Sequence, residues 1–335
     1  MRNNHISIKN IFSVLLVLLL STGLMGCSKD EPIVEEMTDD EIVINQNTDE
    51  IVFLEPSGLF ALDNKKLFVV DKGLNAVFEI VNLKNNKLSG EIIAGFNGMP
   101  IGGYSDGFDQ EVLFNHPTGI IEWFGHLVVS DTDNNSIRII TNNETQTLTG
   151  VSGDGFVDGH VNQAKFNHPT ALAVDDEGLI YVADTGNNAI RTISKEGQVK
   201  TIISNLDVPK GLSYYDGLLY ITCSGDNSIY TWDGKEIKLL SGTQDEIGGY
   251  DNGSLEEASF CAPSAILANE YGIFISDTAN SMVRMIKDGQ VTTIAEYNES
   301  GDDLWPAMPS GLAMIDNVLY VADEFAGVVF AIEIK

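Results

Sequence analysis

One pattern is written six times along this chain, and it leaves few folds open. Each copy is a Pro, an apolar run, and a second apolar run that ends in Asp in five copies and in Cys in one. The Pro residues are Pro56, Pro117, Pro169, Pro209, Pro263 and Pro309, and the run ends are Asp71, Asp131, Asp184, Cys223, Asp277 and Asp323. The separation from Pro to run end is 14 or 15 residues in every copy. Such regularity is the signature of a repeat architecture.

The third copy shows the internal grammar. Pro169 to Val174 reads as a strand, Asp175-Asp176-Glu177-Gly178 as a tight turn, and Leu179 to Ala183 as the returning strand. Asp184-Thr185-Gly186-Asn187-Asn188 is a second turn, rich in residues that bond nearby backbone or tolerate a left-handed conformation. A third strand begins at Ile190, and Gln198 to Ile203 makes a fourth. Four antiparallel strands per unit, closed in a ring, predict an all-β, six-bladed β-propeller. The last copy stops after its third strand, Val328 to Ile334, whereas Glu50 to Leu54 precedes the first blade. The N-terminal segment is therefore expected to close the ring as the outer strand of the last blade, which would protect an open edge.

The motifs resemble the NHL repeat. The resemblance rests on Phe166-Asn167-His168-Pro169-Thr170-Ala171 with Tyr181-Val182-Ala183-Asp184-Thr185-Gly186-Asn187-Asn188-Ala189-Ile190-Arg191, and on Phe114-Asn115-His116-Pro117-Thr118-Gly119 with Ile137-Arg138. It extends over about residues 50 to 335, with copies one, four and six degenerate. It implies the propeller fold and leaves function open, because scaffolds, sensors and enzymes share that architecture.

The first residues predict a destination. Arg2 and Lys9 precede an apolar stretch, Val14 to Leu20, too short to span a bilayer and read as a secretory signal. Leu24-Met25-Gly26-Cys27 resembles a bacterial lipobox, with Cys27 as the lipidated residue, and Ser28-Lys29-Asp30-Glu31 resembles the export signal of Bacteroidetes surface lipoproteins. The expected organisation is a signal peptide over 1–26, a flexible acidic tether over 27–48, and the propeller over 49–335. The expected location is the outer membrane, through the lipid anchor, facing either the cell surface or the periplasm.

Charge excludes several partner classes. Of 19 basic residues, Arg2 and Lys9 leave with the signal, so 17 face 49 acidic ones, a net charge of −32. Nucleic acids and other polyanions require basic patches, and an anionic lipid surface requires the same. The acidity reads as solubility for a displayed protein, or as a site for calcium or a cationic partner. Acidic clusters at Asp106, Asp109 and Glu111, at Asp154 and Asp158, and at Asp245, Glu246 and Asp251 lack the twelve-residue calcium-loop spacing.

After loss of Arg2, three Arg remain: Arg138, Arg191 and Arg284, each seven residues after a run-end Asp (Asp131, Asp184 and Asp277). The same three blades are preceded by Gly-rich connections, Gly103 to Gly107, Gly155 to Gly159 and Gly249 to Gly253. Each Arg is expected to lie buried and to be paired by its connection or its Asp. That would leave no Arg for catalysis or anion binding.

Strand direction gathers the Pro residues, the run-end turns and the long connections on one face, around the channel mouth. Lys210, His116, His168 and Trp305 are the candidate ligand contacts there. His116, His160 and His168 could instead hold zinc with an open position; the alternative is that Asn-His-Pro is simply the form of the strand start. Trp305 could stack on a sugar or peptide, or plug a loop. Cys223 and Cys261 fall on the same face of blades four and five, where export would permit a disulfide; the alternative is that the run-end Cys is simply buried. No nucleophile elbow, phosphate loop or zinc helix is present. The sequence thus favours a monomeric binding propeller for a protein or glycan partner, with a metal-dependent hydrolase or lyase as the rival.

Overall fold

The computed structural model describes residue 51 and residues 53–62, 65–84, 87–95, 101–150, 153–296 and 306–335. The signal segment, Cys27, the tether and Trp305 lie outside the described residues. The chain is a six-bladed β-propeller of antiparallel strands. The first strands are Pro56–Ala61, Pro117–Trp123, Pro169–Val174, Pro209–Tyr215, Pro263–Asn269 and Pro309–Ile315. They stand side by side around the channel, the sixth returning to the first.

The 14- or 15-residue spacing has a direct cause. In every blade the Pro is the cross-strand partner of the run-end residue, from Pro56 opposite Asp71 to Pro309 opposite Asp323. A Pro lacks an N–H, so the first residue of a strand is one of the few ladder positions it can hold. A bulge follows each Pro and bends the strand start. The ends carrying the Pro residues form what we term the Pro face; the opposite ends form the hairpin face.

The core lies between blades. Six apolar clusters occupy the six seams, each drawing on two neighbouring blades. The closing seam joins Ala313, Ile315 and Ala322 of blade six to Leu67, Val69 and Phe78 of blade one.

Strand number departs from four in four of the six blades. Blades two, three and five gain a short fifth strand at the outer edge, Gly107–Phe108, Gly159–His160 and Gly253–Ser254, contributed by the Gly-rich connections. Among the described residues blade six has three strands, and residues 51 and 53–55 add none to it. The amides of Leu54 and Glu55 bond the Asp71 carboxylate at 2.7 and 3.1 Å and are unavailable to a ladder. The segment closes the seam with side chains instead: Phe53 is buried edge-on against Phe78, with ring centres 5.3 Å apart.

Hydroxyls stitch the seams on the Pro face. Ser57 Oγ donates to Pro117 O at 3.1 Å, Thr132 Oγ1 to Pro169 O at 2.8 Å, and Thr185 Oγ1 to Pro209 O at 2.6 Å. Thr222 Oγ1 donates to Ser264 O at 3.0 Å, Thr278 Oγ1 to Pro309 O at 2.7 Å, and Ser310 Oγ to Pro56 O at 2.9 Å, which completes the circle. The blades approach so closely that the second residue after each Pro is Gly or Ala. A Cβ on Gly58 would stand 2.1 Å from Thr118 O.

A second rivet uses left-handed backbone. Asn75, Asn135, Asn188 and Asn227 have φ between 53° and 56°, and their Oδ1 atoms accept from the amides of His116, His168, Val208 and Ala262. Those four residues, each immediately before a Pro, are left-handed themselves, with φ from 46° to 51°. The Asn bond holds a conformation that sterics disfavour there.

Candidate functional site at the channel mouth

The run-end Asp organises the Pro face in two ways. In blades two, three and five it faces an Arg across the blade. Asp131 takes Arg138 Nη1 at 2.6 Å, Asp184 takes Arg191 Nη1 at 2.8 Å, and Asp277 takes Arg284 Nη1 at 2.8 Å, with both partners fully buried in each pair. The second guanidinium nitrogen reaches the Gly-rich connection. Arg138 Nη2 donates to Asp106 at 2.7 Å, Arg191 Nη2 to Asp158 at 2.6 Å, and Arg284 Nη2 to Asn252 Oδ1 at 3.0 Å. Aromatic rings sandwich two of the cations, Tyr104 and Phe114 around Arg138 and Phe156 and Phe166 around Arg191. Arg284 has Phe260 on one side.

Blades one and six keep the Asp but place Phe78 and Phe330 seven residues on, and blade four pairs Cys223 with Tyr230 in those positions. Backbone amides do the work of the Arg there: Leu54, Glu55 and Leu74 bond Asp71, and Ala307, Met308, Phe325 and Ala326 bond Asp323. Burial raises the carboxyls of Asp71, Asp131 and Asp184, and pushes Asp277 up to about 6 against the donors that surround it. All three Arg are occupied within the scaffold.

The mouth itself is set by two positions per blade, the residue after the Pro and the residue after the run end. Nine of these twelve are Ser or Thr. In blades two, three and five the two hydroxyls bond each other, Thr118 with Thr132, Thr170 with Thr185 and Ser264 with Thr278, at 2.6 to 2.7 Å. The three exceptions are Lys72, Lys210 and Glu324, all charged and all in the blades that lack an Arg.

Lys72 of blade one and Glu324 of blade six pair across the closing seam at 2.5 Å, and Glu55 stands 3.7 Å from the same ammonium. Burial lowers Lys72, but Glu324, Glu55 and Asp71 outweigh it and hold the ammonium above its ordinary value. His116 Nδ1 lies 2.6 Å from Asp133, whose other oxygen is 3.7 Å from His168 Nε2, so one carboxylate bridges the two His of neighbouring blades. The Asp133 bond raises His116 and lowers Asp133. Both rings are about half exposed, 52% and 55%. Phe325, at the blade-six turn beside Glu324, is 68% exposed.

One expectation needs correction. His160 does not share the mouth with His116 and His168. It lies in the short outer strand of blade three, opposite Gln198 at the hairpin-face end, because the connection runs down the outer edge of the blade before returning. The three His therefore stand on opposite faces, and among the described residues no group of three or more His, Cys, Asp or Glu side chains is arranged to hold a metal. Cys223 is a buried free thiol in the seam between blades three and four, so it makes no bridge to Cys261. Burial there pushes its pKa up.

Lys72, Glu324, Asp133 and Phe325 escape motif reading. The signal that marks Lys72 and Glu324 is positional, since charges replace hydroxyls at fixed offsets from the repeat.

A sequence profile of the NHL repeat matches residues 166–193. The chain is 28% identical to NHL repeat-containing protein 2 of Gallus gallus, covering 72% of this chain and 39% of that protein. It spans well under half the length of such relatives. Among solved structures, an auxiliary nutrient binding protein from Bacteroides ovatus superposes with a TM-score of 0.61 at 15% identity, covering 84% of this chain and 70% of that one. Virginiamycin B lyase from Staphylococcus aureus superposes with a TM-score of 0.55 at 15% identity, covering 83% and 93%. Likeness at this identity shows the propeller fold and nothing finer.

Proposed function

We propose that this chain is an extracytoplasmic binding propeller, tethered to the outer membrane through Cys27, that holds a protein or glycan partner at the Pro-face mouth of its channel. The observation that carries the reading is that, among the twelve positions after a Pro or a run end, charge is confined to the three blades that depart from the repeat. Eight of the nine hydroxyls bond across a seam and Ser224 bonds Val208 O within its own blade, whereas Lys72, Lys210 and Glu324 carry charge at the three remaining positions. Scaffolding explains the hydroxyls; it does not require charges at the mouth. Exposed Phe325 and the half-exposed His116 and His168 add an aromatic face and hydrogen-bonding groups around the same opening. A concave site with a few polar groups on a rigid frame suits recognition. The nutrient-binding name of the Bacteroides ovatus neighbour is consistent with this reading.

The test is binding of residues 28–335 to arrayed glycans and to peptides. Lys72→Ala and Phe325→Ala should each weaken a retained partner by about tenfold, while Phe108→Ala on the outer rim should leave retention unchanged. Undiminished retention in both mouth variants would overturn the assignment. Membrane fractionation checks the tether: Cys27→Ser should release the protein, and a Ser variant that stays anchored contradicts it.

A further inference from the structure

Lys210 is the one mouth charge whose role the Lys72–Glu324 pair does not explain. It follows Pro209 at the start of blade four's first strand, where four of the other five blades carry a hydroxyl engaged within a seam and blade one carries Ser57 in the same use. Six blades in ring order put blade four opposite blade one. The charges that act on Lys210 are Glu324 of blade six and Lys72 of blade one. A side chain rooted in blade four meets those fields only by extending into the channel.

Among the described residues no carboxylate is within ion-pair distance of its ammonium and no acceptor bonds it. Burial lowers its pKa, Lys72 lowers it further, and Glu324, already paired with Lys72 at 2.5 Å, opposes only in part. A cation half-buried in a channel without a counter-ion costs stability. The chain is strongly acidic, with a net charge of −30, yet among the described residues no carboxylate stands against this Lys.

We propose that Lys210 receives a single carboxylate carried by an acidic saccharide, with the sugar ring held at the mouth by Phe325 and the His116 and His168 rings. This rests on the binding reading above and names its ligand class. A lone ammonium is a point charge suited to one anionic group, whereas bidentate or multiply charged anions favour guanidinium, and Arg138, Arg191 and Arg284 are all occupied. The negative field of the molecule repels polyanions, so the ligand carries one charge at the depth of Lys210. An exposed aromatic ring beside hydrogen-bonding side chains fits the apolar face and hydroxyls of a sugar.

The experiment uses reductively 13C-methylated protein, residues 28–335, titrated with a trisaccharide of two galactose residues and a single galacturonic acid residue, neutral galactose trisaccharide, and an N-acetylated tripeptide with a free C-terminal carboxylate. The Lys210 methyl resonance is assigned by its loss in Lys210→Met. The expected result is a shift of that resonance with the acidic trisaccharide and binding at least about tenfold tighter than the neutral one. Lys210→Met should abolish that preference without lowering the thermal midpoint, and Lys210→Gln should do the same. A preference that survives both substitutions, or equal binding of acidic and neutral sugars, overturns the inference. Preferential binding of the tripeptide overturns the saccharide assignment. If neutral sugar binds and Phe325→Ala weakens it while Lys210→Met does not, the Lys210 inference fails and the mouth reading stands. If Phe325→Ala and Lys72→Ala leave all binding unchanged, both fail.

Discussion

Replacing Arg191 by Ala is the sharpest test of how this ring is held. The guanidinium makes five hydrogen bonds: Nε and Nη2 to Asp158 at 3.1 and 2.6 Å, Nη1 to Asp184 at 2.8 Å and Lys165 O at 3.1 Å, and Nη2 to Val157 O at 2.9 Å. It also sits between the Phe156 and Phe166 rings, at 4.9 and 5.0 Å. Truncation leaves Asp184, fully buried, with only the Asn167 amide and the Asn187 side chain. Removing one partner of a buried pair costs about 3 to 5 kcal/mol. For a domain of this size that corresponds to a fall in Tm of roughly 6 to 20 °C. Urea unfolding followed by tryptophan fluorescence measures the loss. Arg284→Ala should cost less, because its outer partner is neutral Asn252 and one ring covers it. The double variant Asp184→Asn/Arg191→Met should recover part of the loss, since it leaves no unpaired charge. A loss below about 1 kcal/mol for Arg191→Ala, or a double variant less stable than the single, would refute the account of the Arg as scaffold ties.

Three further outcomes follow from the same contacts. Cys223→Asp should destabilise by about 1 to 3 kcal/mol or more, measured by thermal unfolding, because blade four offers Tyr230 where Arg would stand; unchanged stability would contradict the division between Arg-paired and amide-paired carboxylates. Gly58→Ala should cost about 1 to 3 kcal/mol, since its Cβ meets the Thr118 carbonyl at 2.1 Å; urea unfolding indistinguishable from the parent would show that the seam can open freely. His116 should titrate above its ordinary 6.5, so its contribution to stability is complete below 6.5 and fades as pH rises through the folded value. Asp133, lowered from 3.8, contributes above 3.8 and loses that contribution as pH falls through its folded value. Both groups are partly exposed, which limits each effect to at most about 1 kcal/mol. Asp133→Asn should bring the His116 NMR titration midpoint down, and an unmoved midpoint would show that Glu55, Lys72 or His168 governs that His instead.

Much of this molecule was legible in its sequence because the repeat exposes geometry directly. Pro and run-end residues sit opposite each other in a hairpin, so their spacing is the length of two strands and a turn. Six such units fixed the blade count, and strand direction fixed which ends gather on one face. The seven-residue offset from Asp131, Asp184 and Asp277 to an Arg placed the two on paired strands, where a carboxylate and a guanidinium meet. Degeneracy was legible as well, but not its meaning: Lys210 reads as a mouth contact, while Lys72 and Glu324 carry no motif of their own. Their convergence from blades one, four and six depends on the ring bringing distant residues to one channel, which no local spacing encodes. His160 shows the same limit from the other side. Its position after a Gly-rich connection suggested the mouth, but the path of that connection is set by pairing with the outer strand of blade three, and that carries the ring to the hairpin face. The closing segment follows from counting strands but is decided by competition, since Asp71 takes the amides of Leu54 and Glu55 that a ladder would need. Local periodicity determines the elements and their order; which side chains face one another across a seam or a channel is settled only when the circle closes.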